Sequence, residues 1–432
     1  MTIKRNFYAI AAILVFASCK QEKPEAFQLS IPEQPSYGAE MPGLDSAVYY
    51  NKVLGALVGS AIGDAMGTST EMWSRTDIRR KYGYLNTLSP AIRPKSPEGT
   101  WNNNLPAGSG TDDTRWKAFT ANYLKQFRWD LSPQNFTQSI LSYYENAARD
   151  LSDQAVKRYP DALDSTLQRV DWIREWARVS RAFQEGPEAY EMARDRFYGG
   201  EMSCAGMLYT PMFGLITSNP ESAYTTAYQH ALFDIGYARD ISGLVAALTQ
   251  MALHTQDSDS LLNTAVFTDP YQYQDSRLVG RIALQQFESA RDYVRKARLE
   301  STETLKNKVN LDAQKVPKDY PYSELEWLQQ EYVYQQLEQD QKAIPFHAGE
   351  IWEILVAGLE FGQGDFLKSI AFIVNYGRDN DTVAAVAGMI LGAQVGFDAL
   401  PEKEREMVLQ ISKDLMGIDL EAVARQVVAA GN

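Results

Sequence analysis

The sequence predicts an all-α protein, and two observations lead to this prediction. Apolar residues recur at three- and four-residue spacing in several long segments, which is the period of an amphipathic helix, whereas alternating β-branched runs are few. These segments are residues 163–185, 221–253, 275–306 and 346–361. The 432 residues are 45% hydrophobic and 22% charged, which are ordinary globular values and exclude global disorder, a collagen-like repeat and a coiled-coil rod. No self-similarity at a period of about 20 to 50 residues is apparent, so a helical solenoid is not predicted.

The charge balance and the cysteine count narrow the classes of function. The chain carries 42 Lys and Arg against 55 Asp and Glu, for a formal net charge of −13, which argues against a protein that follows the phosphates of a nucleic acid. Its two cysteines, Cys19 and Cys204, and its three histidines are too few for a disulfide framework or a cysteine-rich zinc site. We therefore expect no nucleic-acid partner, and we expect any metal to be held mainly by oxygen.

The N-terminal residues have the pattern of a targeting signal. Two basic residues precede an apolar run, residues 7–16, which has the length of a signal-peptide core and is too short to cross a bilayer. The small residues before Cys19 resemble a bacterial lipoprotein signal. We therefore predict a signal peptide at 1–18, lipidation of Cys19 and a polar, proline-containing tether at 19–45. The protein would then be lipid-anchored in a bacterial cell envelope, periplasmic or on the outer surface; an ordinary secretory signal with an incidental cysteine is the alternative.

The rest of the chain, residues 46–432, is predicted to form one large helical domain. Within it, residues 256–342 are richer in charged residues, Gln and Tyr, and they contain three prolines. We interpret this stretch as a helical insertion packed on the main domain. A small second domain is the alternative.

The first chemical signal along this domain is a glycine stripe in a helical segment. Gly55, Gly59, Gly63 and Gly67 are four apart, so they share one helix face, and each costs up to about 1 kcal/mol of helix stability relative to alanine. Close helix packing would explain the stripe, while Asp64 within it argues against a membrane-spanning helix.

Two further signals are short Thr and Asp clusters that each open a helix. The first is Thr-Asp-Asp-Thr at 111–114, and the second is Asp-Asn-Asp-Thr at 379–382. Helix capping explains either cluster alone. Facing one another, however, they would offer four carboxylates and threonine hydroxyls to a hard cation. An EF-hand starting at Asp379 is excluded, because its sixth position is Ala384 and its twelfth is Ile390. Mg²⁺ prefers such short oxygen ligands, and two ions about 3.5–4 Å apart would be able to orient a substrate oxygen and a water.

In this order the motifs resemble those of the ADP-ribosylglycohydrolases, the family of dinitrogenase reductase-activating glycohydrolase. The matching stretches are residues 63–67 with Glu71, residues 111–114, and residues 379–388, and the resemblance extends over about 50–402. It implies an all-α fold around a binuclear Mg²⁺ centre, with Mn²⁺ as a possible substitute. It also implies hydrolysis of a bond at the anomeric carbon of a ribose. By match, the metal ligands would be Thr111, Asp112, Asp113, Asp379, Asp381 and Thr382.

The resemblance also assigns further roles in the site. Glu71 would lie at the metal edge near the ribose, and Glu71 or Asp112 would position or deprotonate the attacking water. The substrate-binding residues that we predict are Gly110, Trp101, Ser203, Gly206 and Tyr376.

The chain departs from the family pattern in two places that concern the diphosphate of ADP-ribose. The mid-chain loop has Leu208 or Tyr209 where the family often has an arginine, and Arg378 replaces a glycine before the last motif. We predict a Mg²⁺-dependent glycohydrolase that cleaves an N- or O-glycosidic bond of ADP-ribose or a related ribosyl compound. The alternatives are a glycosidase or nucleoside-releasing hydrolase whose substrate lacks a diphosphate, and a non-catalytic surface protein that binds a sugar nucleotide.

Overall fold

Helices make up nearly all of the regular structure, as the sequence predicts. The computed structural model describes residues 44–92, 104–155, 160–312 and 314–431. The predicted signal peptide and Cys19 lie outside these residues. In the described residues the first nine helices are α1 Ser46–Gly67, α2 Arg75–Tyr82, α3 Asp112–Phe127, α4 Pro133–Ala155, α5 Pro160–Glu185, α6 Pro187–Arg196, α7 Pro211–Gly214, α8 Pro220–His230 and α9 Ala238–Ala252.

The C-terminal half continues the pattern. Its helices are α10 Ser258–Phe267, α11 Ile282–Leu299, α12 Thr302–Lys308, α13 Glu324–Gln339, α14 Ala348–Gly362, α15 Phe366–Tyr376, α16 Asn380–Val395, α17 Glu402–Met416 and α18 Leu420–Gly431. Two short strands, β1 Ala91–Ile92 and β2 Asn104–Leu105, pair antiparallel. None of the helices in the described part of the chain combines the length and the apolar character needed to cross a bilayer.

The glycine stripe of α1 packs directly on the backbone of α16. A Cβ added at Gly59 would lie 2.2 Å from the carbonyl oxygen of Gly388, and one added at Gly388 would lie 2.1 Å from that of Gly59. One turn away, Gly55 and Gly392 face each other in the same way, at 2.4 and 2.1 Å. Only glycine permits two helix backbones to approach this closely. Close packing therefore accounts for the stripe, and it makes α1 and α16 the centre of the fold.

This contact also places one end of α1 against one end of α16. At the last glycine of the stripe, Gly67, an added Cβ would lie 2.3 Å from the Cα of Asp381. The C-terminal end of α1 therefore touches the N-terminal end of α16. Glu71, just past α1, and the 379–382 motif are brought together by backbone packing alone.

Residues 256–342 share the core of the main domain. Buried side chains of this segment, including Leu261, Phe287 and Leu337, belong to the same apolar cluster as α1 and α16. A smaller cluster packs Trp327 of α13 against Tyr84. Buried ion pairs add to this attachment, since Arg281 binds Asp240 at 2.6 Å and Arg291 binds Glu360 at 2.6 Å.

Candidate active site

Residues from both Thr and Asp clusters line one pocket, together with Glu71. The lining residues are Glu71, Asp112, Trp176, Tyr198, Cys204, Ala205, Leu208, Phe346, Asp379, Asp381 and Thr382. Of the six predicted metal ligands, four line the pocket, from the starts of α3 and α16: Asp112, Asp379, Asp381 and Thr382. Thr111 and Asp113 are buried outside this lining. A hydrogen bond joins the clusters directly, because the Thr382 hydroxyl donates to Oδ2 of Asp113 at 3.0 Å across 269 positions of sequence.

Capping explains one cluster but not the other. Thr111 is the N-cap of α3, and its hydroxyl oxygen accepts a hydrogen bond from the backbone N–H of Asp113 at 3.3 Å. Asp379 is the N-cap of α16 by position, yet its side chain makes no capping hydrogen bond. The Asp379 carboxylate instead lines the pocket, where it accepts a hydrogen bond from the Cys204 thiol at 3.4 Å.

Asp64 holds the 111–114 cluster in place, a role that the sequence analysis did not assign. Its carboxylate accepts hydrogen bonds from the backbone N–H and hydroxyl of Thr111, at 2.9–3.0 Å, and from those of Thr114, at 3.1 and 2.5 Å. Burial, and then the charge of Asp113, raise the pKa of Asp64 to about 6, while the bonds from Thr114 and Thr111 oppose this rise. A carboxylate within a glycine-rich apolar helix needs buried donors. The position of Asp64 within this apolar helix was therefore the signal in the sequence that could have identified its role.

Asp113 is already neutralised by a lysine. The Nζ of Lys117, one turn along α3, lies 2.9 Å from Oδ1 of Asp113, and both side chains are almost completely buried. The other carboxylate oxygen receives the Thr382 hydroxyl. Lys117 was not singled out in the sequence, because a lysine four residues after an aspartate usually forms an exposed helix pair.

Asp381 lies where negative charge is most concentrated. Its Oδ1 is buried and has no hydrogen-bond partner. Burial, followed by the charges of Glu71, Asp379, Asp113 and Asp64, raises the pKa of Asp381 well above its ordinary value. A buried carboxylate among several others is stable when a cation compensates the charge.

The site has the chemistry of a hard-cation site. In the described residues, no three His, Cys, Asp or Glu side chains are arranged, as they stand, to enclose a metal ion. The donors that meet in the pocket are nevertheless carboxylate and hydroxyl oxygens, the ligands that Mg²⁺ and Mn²⁺ prefer. The unpartnered oxygen of Asp381 and the surrounding negative charge fit a divalent cation bound there.

Two of the predicted substrate-binding glycines have packing roles. A Cβ at Gly110 would lie 2.5 Å from the Thr114 hydroxyl oxygen and 2.6 Å from Oδ2 of Asp64. The N–H of Gly206 donates to Oδ1 of Asp234 at 2.9 Å, and a Cβ there would lie 2.2 Å from the other carboxylate oxygen. Neither glycine is among the residues that line the pocket.

None of the other predicted substrate contacts is among the described residues that line the pocket. Ser203 is buried and forms an isolated β-bridge with His347, outside the pocket lining. Tyr376 is also buried outside the lining, and its hydroxyl accepts a hydrogen bond from the Gln341 side chain at 3.0 Å. Trp101 lies outside the described residues.

Aromatic side chains that the sequence analysis missed form one wall of the pocket. They are Trp176, Tyr198 and Phe346, with the rings of Tyr198 and Phe346 5.0 Å apart between centroids. Nothing in the spacing of these residues distinguishes them from core aromatics. They lie together because three segments that are distant in sequence pack around the same pocket.

Arg378 holds the loop that carries Phe346, one of the three aromatic residues of this wall. Its guanidinium pairs with Glu350 at 2.5 and 2.9 Å and donates to the carbonyl oxygens of Lys342 and Ile344 at 2.8 and 3.3 Å. Arg378 thereby ties the start of α16 to the loop that carries Phe346. The arginine that departs from the family pattern is thus a structural support.

Comparisons with known proteins identify the family of this chain. The sequence pattern of the family described as ADP-ribosylglycohydrolase matches residues 45–432. An uncharacterized protein of Archaeoglobus fulgidus (strain ATCC 49558 / DSM 4304 / JCM 9628 / NBRC 100126 / VC-16) is 21% identical over 381 residues, which cover 86% of this chain and 98% of that relative. The uncharacterized protein YegU of Escherichia coli (strain K12) is 28% identical over 92 residues, which cover 21% of this chain and 26% of that relative.

Among solved structures, an ADP-ribosylglycohydrolase-related protein complex shares 18% sequence identity and a TM-score of 0.47, over 89% of this chain and 100% of that chain. The family pattern spans most of the chain, and its residues include every motif that meets in the pocket. The chain therefore belongs to the ADP-ribosylglycohydrolase family and is a hydrolase of the glycosylase type.

Proposed function

We propose that the protein hydrolyses, with Mg²⁺ or Mn²⁺, an N- or O-glycosidic bond at the anomeric carbon of ADP-ribose or a related ribosyl compound. The observation that carries this proposal is that both clusters contribute to one pocket beside Glu71, through Asp112, Asp379, Asp381 and Thr382. The resemblance predicts two metal ions in this pocket.

The carboxylates of the pocket have distinct tasks in this reaction. Asp379 and Asp381 would hold the metal, which when bound supplies positive charge to the ribose hydroxyls and to an oxocarbenium-like transition state. Glu71 or Asp112 holds the attacking water and accepts its proton, since both line the pocket. The water oxygen bonds to the anomeric carbon, and the leaving group departs with the electron pair of the broken bond.

One observation favours a second candidate, a substrate without a diphosphate. In the described part of the chain, the pocket is lined by carboxylates, small residues and aromatics, and no lysine or arginine is among them. Of the two residues that could stand for the arginine often found in the family, Leu208 lines the pocket and Tyr209 does not. Diphosphates are usually held by arginine, lysine or helix N-termini. The helix N-termini at this pocket, those of α3 and α16, present aspartates to it, which would repel a diphosphate in the absence of metal. A nucleoside or another furanosyl compound would need no such group.

We also propose that the enzyme acts in the cell envelope. Cys19 would carry the lipid, and residues 19–45 would connect it to the catalytic domain. The substrate would then be an extracytoplasmic ribosyl compound. Labelling of the full chain with a radioactive fatty acid tests this part, since Cys19→Ser should abolish the label; a Cys19→Ser protein that is still labelled would contradict it.

The activity is tested with a panel of substrates, with Mg²⁺ and with EDTA. The panel contains ADP-ribosyl-arginine, ADP-ribosyl-serine, O-acetyl-ADP-ribose and simple nucleosides. Metal-dependent release of ADP-ribose supports the first candidate, and cleavage of nucleosides alone supports the second. Binding of a sugar nucleotide without turnover of any substrate would contradict both and indicate a capture protein. Asp292→Ala, on an exposed face of α11, is the matched control for carboxylate variants of the pocket.

A further inference from the structure

A buried positive charge lies among the carboxylates of the pocket. Asp64, Glu71, Asp113, Asp379 and Asp381 are each at most 5% exposed. In the described residues one lysine is buried, and it is Lys117, which is 1% exposed. Burying an ammonium is costly unless a negative partner is present, and the partner of Lys117 is Asp113.

The Lys117 ammonium binds one carboxylate oxygen of Asp113, a residue that the resemblance makes a metal ligand. It lies 2.9 Å from Oδ1 of Asp113, whose Oδ2 accepts the Thr382 hydroxyl at 3.0 Å. The resemblance makes Asp113 and Thr382 ligands of the binuclear centre. In this chain both side chains are already engaged, with a cation against Asp113.

The Lys117 ammonium cannot reach solvent without a rearrangement of the surrounding protein. Its side chain is enclosed by the protein, and leaving Asp113 would strand a buried charge without a partner. Burial raises the pKa of Asp64, and the charge of Lys117 is among the influences that oppose this rise. A divalent ion bound to the same oxygen would meet the ammonium at close range and be repelled.

We propose that the Lys117 ammonium takes one of the two cation positions expected from the motifs, so that the site binds a single divalent ion. That ion belongs beside Asp381, whose Oδ1 lacks a hydrogen-bond partner. This inference rests on the proposed metal-dependent function and changes its stoichiometry. Lys117 is a positioning residue here, and it supplies charge without the Lewis acidity of a metal.

The number of bound ions tests this directly. Full-length protein is dialysed to equilibrium against Mn²⁺, the bound metal is counted by elemental analysis, and electron paramagnetic resonance distinguishes isolated from spin-coupled Mn²⁺. We expect one Mn²⁺ per wild-type chain and an uncoupled spectrum. Lys117→Met removes the charge at similar length and should bind two, with a coupled spectrum. Lys117→Arg keeps the charge and should bind one.

Lys52→Met is the matched control for removal of a lysine charge. Lys52 donates to backbone carbonyl oxygens of Ala393 and Gln394 near the end of α16, so its loss should leave one Mn²⁺ bound. Two coupled ions in the wild type would overturn the inference and leave the proposed function intact. A single ion in a folded Lys117→Met protein would also overturn it. No bound Mn²⁺ in the wild type would instead contradict the proposed function. If circular dichroism shows that Lys117→Met does not fold, the wild-type count and spectrum decide.

Discussion

Replacing Gly59 by alanine tests whether the backbone contact of α1 with α16 assembles the active site. The new methyl group would lie 2.2 Å from the carbonyl oxygen of Gly388, and ordinary contact begins at 3.4 Å. The helices must therefore separate by about 1.2 Å at this point. Rotating a side chain cannot relieve this contact, because the backbone fixes the position of the new Cβ and the atom it meets is a backbone carbonyl oxygen.

Two opposing terms determine the size of the effect. Alanine favours the helix over glycine by about 1 kcal/mol. Overpacking a tight core typically costs about 1–3 kcal/mol, and a contact with rigid backbone belongs at the upper end. We expect a net loss of about 2 kcal/mol in the free energy of unfolding. Because a misplacement of about 1 Å can reduce turnover about 100-fold, we also expect kcat/KM to fall.

The assay is urea unfolding followed by far-UV circular dichroism, with kcat/KM measured on the same preparations. Gly349→Ala, in α14, is the matched control, since its methyl group would meet the side-chain ends of Tyr237 and Gln286, which can move. A Gly59→Ala protein as stable and active as this control would refute the reasoning, because helix propensity would then outweigh the contact.

Three further predictions concern the pocket and its supports. Asp381→Ala and Asp112→Ala should each abolish turnover while far-UV circular dichroism stays unchanged, because both carboxylates line the pocket. Burial raises the pKa of Asp234 to about 7 from 3.8, so the folded state holds this proton more tightly than the unfolded chain does. Its contribution to stability is therefore complete below about pH 4 and is lost as the pH rises through 7, and Asp234→Asn should flatten urea midpoints measured between pH 5 and 9. Arg378→Gly should lower the free energy of unfolding by about 1 kcal/mol, because losing the charged hydrogen bonds to Glu350 costs about 2 kcal/mol and glycine relieves about 1 kcal/mol at this left-handed position (φ 65°). It should also raise KM by loosening the Phe346 loop.

Each of these has an outcome that contradicts it. Turnover retained in both aspartate variants would remove the support for a metal site at these carboxylates. A pH slope equal to that of the wild type in Asp234→Asn would mean that another group titrates. An unchanged KM in a destabilised Arg378→Gly protein would show that the loop does not shape substrate binding.

The sequence carries the fold class because helical periodicity is local. Apolar spacing along each segment predicts a helix without knowledge of its neighbours, and the structure has helices in these segments. The Thr and Asp clusters were also visible, since their residues are adjacent in sequence. Even the glycine stripe predicted a close helix contact, although its partner, the glycines of α16, could not be identified from α1.

The members of the site that are distant in sequence required the tertiary structure. Asp64 is a buried carboxylate whose donors come from the 111–114 cluster, and only packing shows that they reach it. The aromatic wall of Trp176, Tyr198 and Phe346 joins three segments with no shared periodicity.

By itself, the sequence determined that this protein is all-α and that three ordered motifs place it with the ADP-ribosylglycohydrolases. The tertiary structure alone decided that Lys117 is buried against Asp113 while Thr382 reaches the same carboxylate from α16. The physical reason is that burial depends on what the rest of the chain packs above a residue. The same Asp–Lys spacing forms an exposed pair on one helix and, beneath the pocket, a permanent cation in the site.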